Sequence, residues 1–98
     1  MIVKAHYKDN KTIITSVDKE IIGKKLEENN KILDLTNEYY QGKEMTEEET
    51  TDLLRNADII QVVGKKSIML AKKEGLIEEK NIIHVQDTPF AQAVIIRE

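Results

Sequence analysis

The sequence predicts an α/β (α+β) fold: one compact domain with a mixed β-sheet, a β-hairpin at its N-terminus and two main helices packed on the sheet. Three stretches of the 98-residue chain carry that reading. Residues 1–7 and 11–17 are β-rich runs joined by Lys8, Asp9 and Asn10, and Asn and Asp tolerate the left-handed backbone of a tight turn. Thr46, Glu47, Glu48 and Glu49 spell a capping box, in which the threonine hydroxyl accepts from the N–H three residues on while Glu49 reaches back. Residues 58–85 then run strand, glycine, helix, glycine, strand. A chain of this length hides roughly two-thirds of its unfolded surface, so its core is small.

The remaining elements follow in order. Within residues 1–7, Val3, Ala5 and Tyr7 share one side and Ile2, Lys4 and His6 the other. Asp18 reads as a helix N-cap, with Gly23 stopping that helix about one turn later. Residues 24–30 are polar and end in the turn signal Asn29-Asn30, after which 31–35 is short enough for a third strand. Residues 36–41 suggest a single helical turn closed by Gly42. The capped helix runs to about Arg55 and buries Leu53, Leu54 and Ala57. Residues 59–63 form an apolar run of strand length, as expected of a central strand covered on both faces. The helix over 65–74 ends at Gly75, with Leu76 supplying the apolar contact of a Schellman ending. Residues 82–85 are the next strand, 86–89 a loop holding the single proline, and 90–96 a final strand.

Composition narrows the function classes. Only 4% of residues are aromatic, so Ile, Leu and Val must build the interior. The net charge of −3 argues against broad non-specific nucleic-acid binding and leaves room only for a local basic patch. With no cysteine there is no disulfide, thiolate metal site or cysteine nucleophile, which fits a reducing cytosol. The alternating start is not a signal peptide, and no apolar run approaches the ~18 residues of a membrane span. The expectation is a cytoplasmic protein with no membrane association.

Several residues could carry chemistry. Gly64, Lys65, Lys66 and Ser67 open a helix, whose free N–H groups can hold an anion. The P-loop reading fails, because position 59 is Ile and Ser67 comes one residue late. Lysines there oppose the helix dipole unless an anion or an acidic neighbour compensates. Asp87, Thr88 and Gln92 offer donors and acceptors in a loop after a strand end, where α/β sheets place ligands, although turn formation explains them as well. Tyr39 and Tyr40 could stack on bases, against the plainer reading that one packs on the core and the other covers an edge. His6 and His84 fall on strands and lack a third ligand for zinc, and the consecutive acids 47–49 point in different directions. No cofactor is implied, and no nucleophile–base pair can be assembled.

Some residues also carry a resemblance. The start MIVKAHYK, Tyr39-Tyr40-Gln41-Gly42, the run 57–64, Glu74-Gly75-Leu76-Ile77 and Pro89-Phe90-Ala91-Gln92 together resemble a family of small, uncharacterised archaeal proteins, domain-of-unknown-function family 424. The resemblance spans nearly the whole chain and implies an archaeal, cytoplasmic, single-domain protein, with no established activity, cofactor or substrate. Its pattern often has Asn where Gln61 stands and His where Phe90 stands.

Three functional expectations follow. The first is a non-enzymatic binding module associated with RNA or translation, using Lys24, Lys25, Lys65, Lys66, Lys72 and Lys73 as a patch and Tyr39 or Tyr40 as a stacking platform. The second is a small-molecule or phosphate-binding domain or enzyme centred on 64–67 and 87–92. The third is a protein–protein adaptor acting through an edge strand at 1–7 or 90–96.

Overall fold

The computed structural model describes residues 1–96. Its strands are β1 (Ile2–Lys8), β2 (Lys11–Val17), β3 (Lys25–Glu28), β4 (Lys31–Asp34), β5 (Lys43–Glu44), β6 (Ile59–Val63), β7 (Ile83–Val85) and β8 (Thr88–Val94). Its helices are α1 (Glu47–Asn56) and α2 (Lys65–Lys73), with 3-10 turns at Lys19–Ile21, Glu38–Tyr40 and Glu79–Asn81. Six strands form one sheet in the order β5-β1-β2-β6-β8-β7, and β3 and β4 pair separately. Within the large sheet β2 and β6 run parallel, while its other pairs are antiparallel.

Three tight turns fix the hairpins. Asp9-Asn10, Asn29-Asn30 and Gln86-Asp87 all have positive φ, the conformation a two-residue hairpin turn needs to match strand twist. This corrects two expectations. The polar stretch 24–30 contains strand β3, because its partner β4 and the sheet beneath, rather than its own propensity, hold it extended. The loop expected over 86–89 is only the pair Gln86-Asp87, with Thr88 and Pro89 inside β8. Pro89 sits opposite His84 on the short edge strand β7, a position that demands no N–H from it.

The two faces of the sheet are covered differently. Both helices pack on one face, where Val3, Ile14, Leu54, Ile60, Val62, Ile68, Leu70 and Ala91 make the larger cluster. The capping box of α1 forms as its residues predict, and α2 ends in a Schellman motif: Leu76 N–H donates to the Ala71 carbonyl and Gly75 N–H to that of Lys72. On the opposite face the β3–β4 hairpin buries Leu33 and Leu35 against Val17, Val63 and Val85. That hairpin covers only one end of the face.

Candidate functional site

The start of α2 is built differently from an open anion site. The Asp18 carboxylate reaches it, accepting from Lys66 N–H and Ser67 N–H at 2.8 Å each. Asp18 therefore does not cap the 3-10 turn that follows it; it caps a helix 48 residues away in sequence. Gly64 makes room for this: its φ is +103°, and a Cβ there would lie 2.4 Å from the Asp18 carboxyl carbon. Deeper in, the Ser67 and Ser16 hydroxyls share a buried 2.9 Å hydrogen bond. Lys66 pairs with Glu20 at 2.7 Å, and the pairing raises the pKa of the lysine and lowers that of Glu20. Two acidic neighbours thus supply the compensation that lysines at a helix start require.

Of the residues singled out in sequence, Gly64, Lys65, Lys66, Asp87 and Thr88 line one cleft of about 370 Å³ with Asp18 and Glu20. Its charges are mixed. Three carboxylates face two lysines, and the strongest backbone donors already hold Asp18. Ser67 lies buried behind it.

Tyr39, Tyr40 and Gln92 belong elsewhere, on the sheet face opposite the helices. Strand registers set up rows across that face: Lys4, Thr15, Gln61 and Gln92 in one, His6, Ile13, Ile59 and Val94 in the next, and Lys8 beside Lys11 at the end. The Tyr39 ring stacks on His6 with centroids 4.1 Å apart, and Tyr40 meets Tyr39 edge-on at 5.2 Å. Lys4 Nζ donates to the Glu38 carbonyl at 2.8 Å, tying the Tyr39 turn to β1. Gln61 Nε2 donates to Gln92 Oε1 at 3.1 Å. Gln61 Oε1 and His6 Nε2 are buried atoms without a hydrogen-bond partner.

The patch of six lysines expected from the sequence does not form. Lys24 and Lys25 lead into the hairpin on one side of the sheet, while Lys65, Lys66, Lys72 and Lys73 lie on α2 on the other. Lys25, Lys66 and Lys72 are each engaged by a glutamate: Glu27, Glu20 and Glu79. The two histidines are also apart, on β1 and β7, with three strands between them. Among the described residues no three His, Asp or Glu side chains are grouped to hold a metal.

A family profile described as "Protein of unknown function (DUF424)" matches residues 5–96. The chain belongs to the DUF424 family. Its fold is similar to that of a solved structure titled "Crystal structure of an uncharacterized conserved protein from Methanopyrus kandleri", with a TM-score of 0.82 at 20% identity, covering 99% of this chain and 93% of the other. No curated protein matches the sequence. Among the described residues of this DUF424 chain, no helix is long and apolar enough to cross a membrane.

Sequence reasoning named positions 61 and 90 only as two departures from the family pattern. In the DUF424 fold Gln61 and Phe90 share the face opposite the helices, on neighbouring strands. Lys8, Lys11 and Gln61 were missed as surface-forming residues. The strand alternation that places Lys8 and Lys11 beside His6 was readable, but the β2–β6 pairing that brings Gln61 next to Thr15 was not.

The half-buried position of His6 has a measurable consequence. Burial, and then the charge of Lys4, lower its pKa, and the Tyr39 backbone offsets this in part. A histidine whose folded pKa is depressed favours the native state when neutral, so its contribution is lost as pH falls from about 6.5 through the folded pKa. Urea titrations of wild type and His6→Phe should therefore diverge below about pH 6.5, wild type losing stability more steeply. Parallel pH profiles would refute the assignment.

Proposed function

We propose that this DUF424 protein is a cytoplasmic, non-enzymatic module that binds single-stranded RNA on the sheet face opposite its helices. One observation carries the reading. Alternation along β1, β2, β6 and β8 puts lysines, a histidine, two threonines, two glutamines, Phe90 and aliphatic residues on this face, and none of those strand positions is acidic. In a protein of net charge −3, the strand positions of this face carry no carboxylate, and those left open beyond the hairpin that buries Val17 and Val63 include Lys8, Lys11 and Gln92. Lys8 and Lys11 suit phosphates, the Gln61–Gln92 amides suit base edges, and the Tyr39–His6 stack offers a ring for a base. The phosphate-site alternative at 64–67 is weaker, because an anion there must displace Asp18.

Fluorescence anisotropy with a labelled single-stranded oligonucleotide of mixed sequence tests the reading. Tyr39→Ala is expected to weaken binding about tenfold, consistent with ~1–3 kcal/mol for stacking one base. Lys8→Glu with Lys11→Glu should weaken it further and reduce the salt dependence by about one to two phosphate contacts. Lys65→Glu with Lys66→Glu should leave it unchanged. Unaltered binding in the Lys8/Lys11 pair, or an equal loss in the Lys65/Lys66 pair, would overturn the assignment.

A further inference from the structure

A second surface, independent of the RNA reading, lies where α2 runs beside the edge strand β7. We propose that this groove takes an extended acidic peptide, which adds to β7 as a further strand. The groove holds about 500 Å³. Its floor is apolar, made by Ile68, Met69, Ile82 and Pro89, and Met69 is 68% exposed. Lys65, Lys72 and Lys73 line it, against one carboxylate, Glu79, which Lys72 engages. An apolar floor under a cationic rim matches a chain that carries both carboxylates and an aliphatic side chain. A nucleic acid would leave the aliphatic floor unused, with His84 the one ring among the lining residues to stack on.

The backbone of β7 supplies the second half of the site. Among the described residues β7 ends the strand order of the large sheet, with β8 as its one ladder partner. Its hairpin closes through the two-residue turn Gln86-Asp87, so Val85 and Thr88 form the hydrogen-bonded pair beside the turn. The next pair, His84 with Pro89, is then non-hydrogen-bonded. Two facts agree with this: proline has no N–H to give, and the Pro89 carbonyl accepts instead from Gly64 N–H at 2.8 Å on the β6 side. The N–H and carbonyl of His84 therefore point away from β8, toward the open edge, ready for an added strand. The His84 side chain lines the groove, so the partner residue opposite it also directs its side chain there, as do the residues two before and two after it. A partner with an apolar residue flanked at i−2 and i+2 by acids would set the former on Met69 and Ile82 and the latter at Lys65 and Lys73.

The test is a titration of the isotope-labelled protein, followed by amide NMR, with the peptide acetyl-ETLTE-amide, and with acetyl-KTLTK-amide as the charge-reversed control. Shifts confined to 65–73 and 82–85 are expected for the acidic peptide, with at least tenfold weaker binding of the basic one. The outward N–H of His84 is the donor an added strand must meet. His84→Pro removes that N–H without touching a bond inside the sheet, and should abolish binding while amide dispersion shows the fold intact. Lys65→Glu with Lys73→Glu gives a second variant that leaves the strand unaltered and should also lose binding. The proposal is overturned if millimolar acidic peptide produces no shifts, if the basic peptide binds equally, or if a folded His84→Pro protein binds like wild type. Stronger perturbation of the same resonances by oligouridylate, with displacement of the peptide, would overturn it in favour of nucleic acid.

Discussion

Asp18→Ala is expected to destabilise the protein by about 2–3 kcal/mol, the combined effect of losing an N-cap and leaving two helix N–H groups without an acceptor. Asp18 is 5% exposed, and its carboxylate accepts from two N–H groups in the first turn of α2. Part of their gross strength is offset by the cost of burying the charge, so the expected loss stays below the sum of two charge-assisted bonds. In a domain this size the loss corresponds to a fall in Tm of roughly 10–20 °C. Asp18→Asn keeps one acceptor but turns an NH2 group toward the second N–H, so an intermediate loss is expected. Thermal and urea unfolding of both variants check this. A loss below about 1 kcal/mol for the alanine variant would mean that solvent or a neighbouring group replaces the carboxylate.

The second large effect is expected at the other end of the core, on the opposite face of the sheet. Leu35 is fully buried, and its backbone joins the hairpin to its surroundings: its N–H donates to the Lys24 carbonyl at 2.8 Å, and its own carbonyl accepts from Gly23 N–H and Gln41 Nε2, each at 2.9 Å. Leu35→Ala removes most of the side chain that seats the hairpin on Val17, Val63 and Val85, and is expected to cost about 3 kcal/mol. The small cluster should also yield first. Hydrogen exchange in the variant should accelerate at β3 and β4 amides well beyond any change in β6. Ile32→Ala, at the residue next to Leu33 on the turnward side of the hairpin and 64% exposed, serves as the comparison and should cost less than about 0.5 kcal/mol. Equal losses at positions 32 and 35 would show that the hairpin does not depend on this cluster for its docking.

These two residues also mark how far the sequence could be read. Leu35 sat at the end of an expected strand and its burial was unremarkable from pattern alone. What pattern could not supply was its partners, because Val17, Val63 and Val85 come from strands distant in sequence. Asp18 is the sharper case. An acid before a short helical stretch has the local signature of an N-cap, and local reasoning assigned it to the turn it precedes. The parallel pairing of β2 with β6 ends both strands side by side, at Val17 and Val63, and so delivers Asp18 to the start of α2 instead. The reading of 64–67 named the N–H donors of a helix start and an acidic neighbour in general terms, but could not say that Asp18 is the carboxylate that takes those donors.

The sequence by itself determined the elements whose cause is local. The capping box at Thr46–Glu49, the Schellman end at Gly75 and the Asp9-Asn10 turn depend on residues within a few positions of one another, and each forms as their chemistry requires. Strand alternation likewise settled which residues of β1 share a face. Only the tertiary structure decided what depends on pairing between distant segments: that a polar stretch becomes β3, that Pro89 lies within a strand, that the lysine pairs separate onto two sides, and that Gln61 meets Gln92. The physical reason is that turns and caps are fixed by bonds spanning two to five residues, whereas strand order and face assignment follow from burying one common core, to which every segment contributes at once.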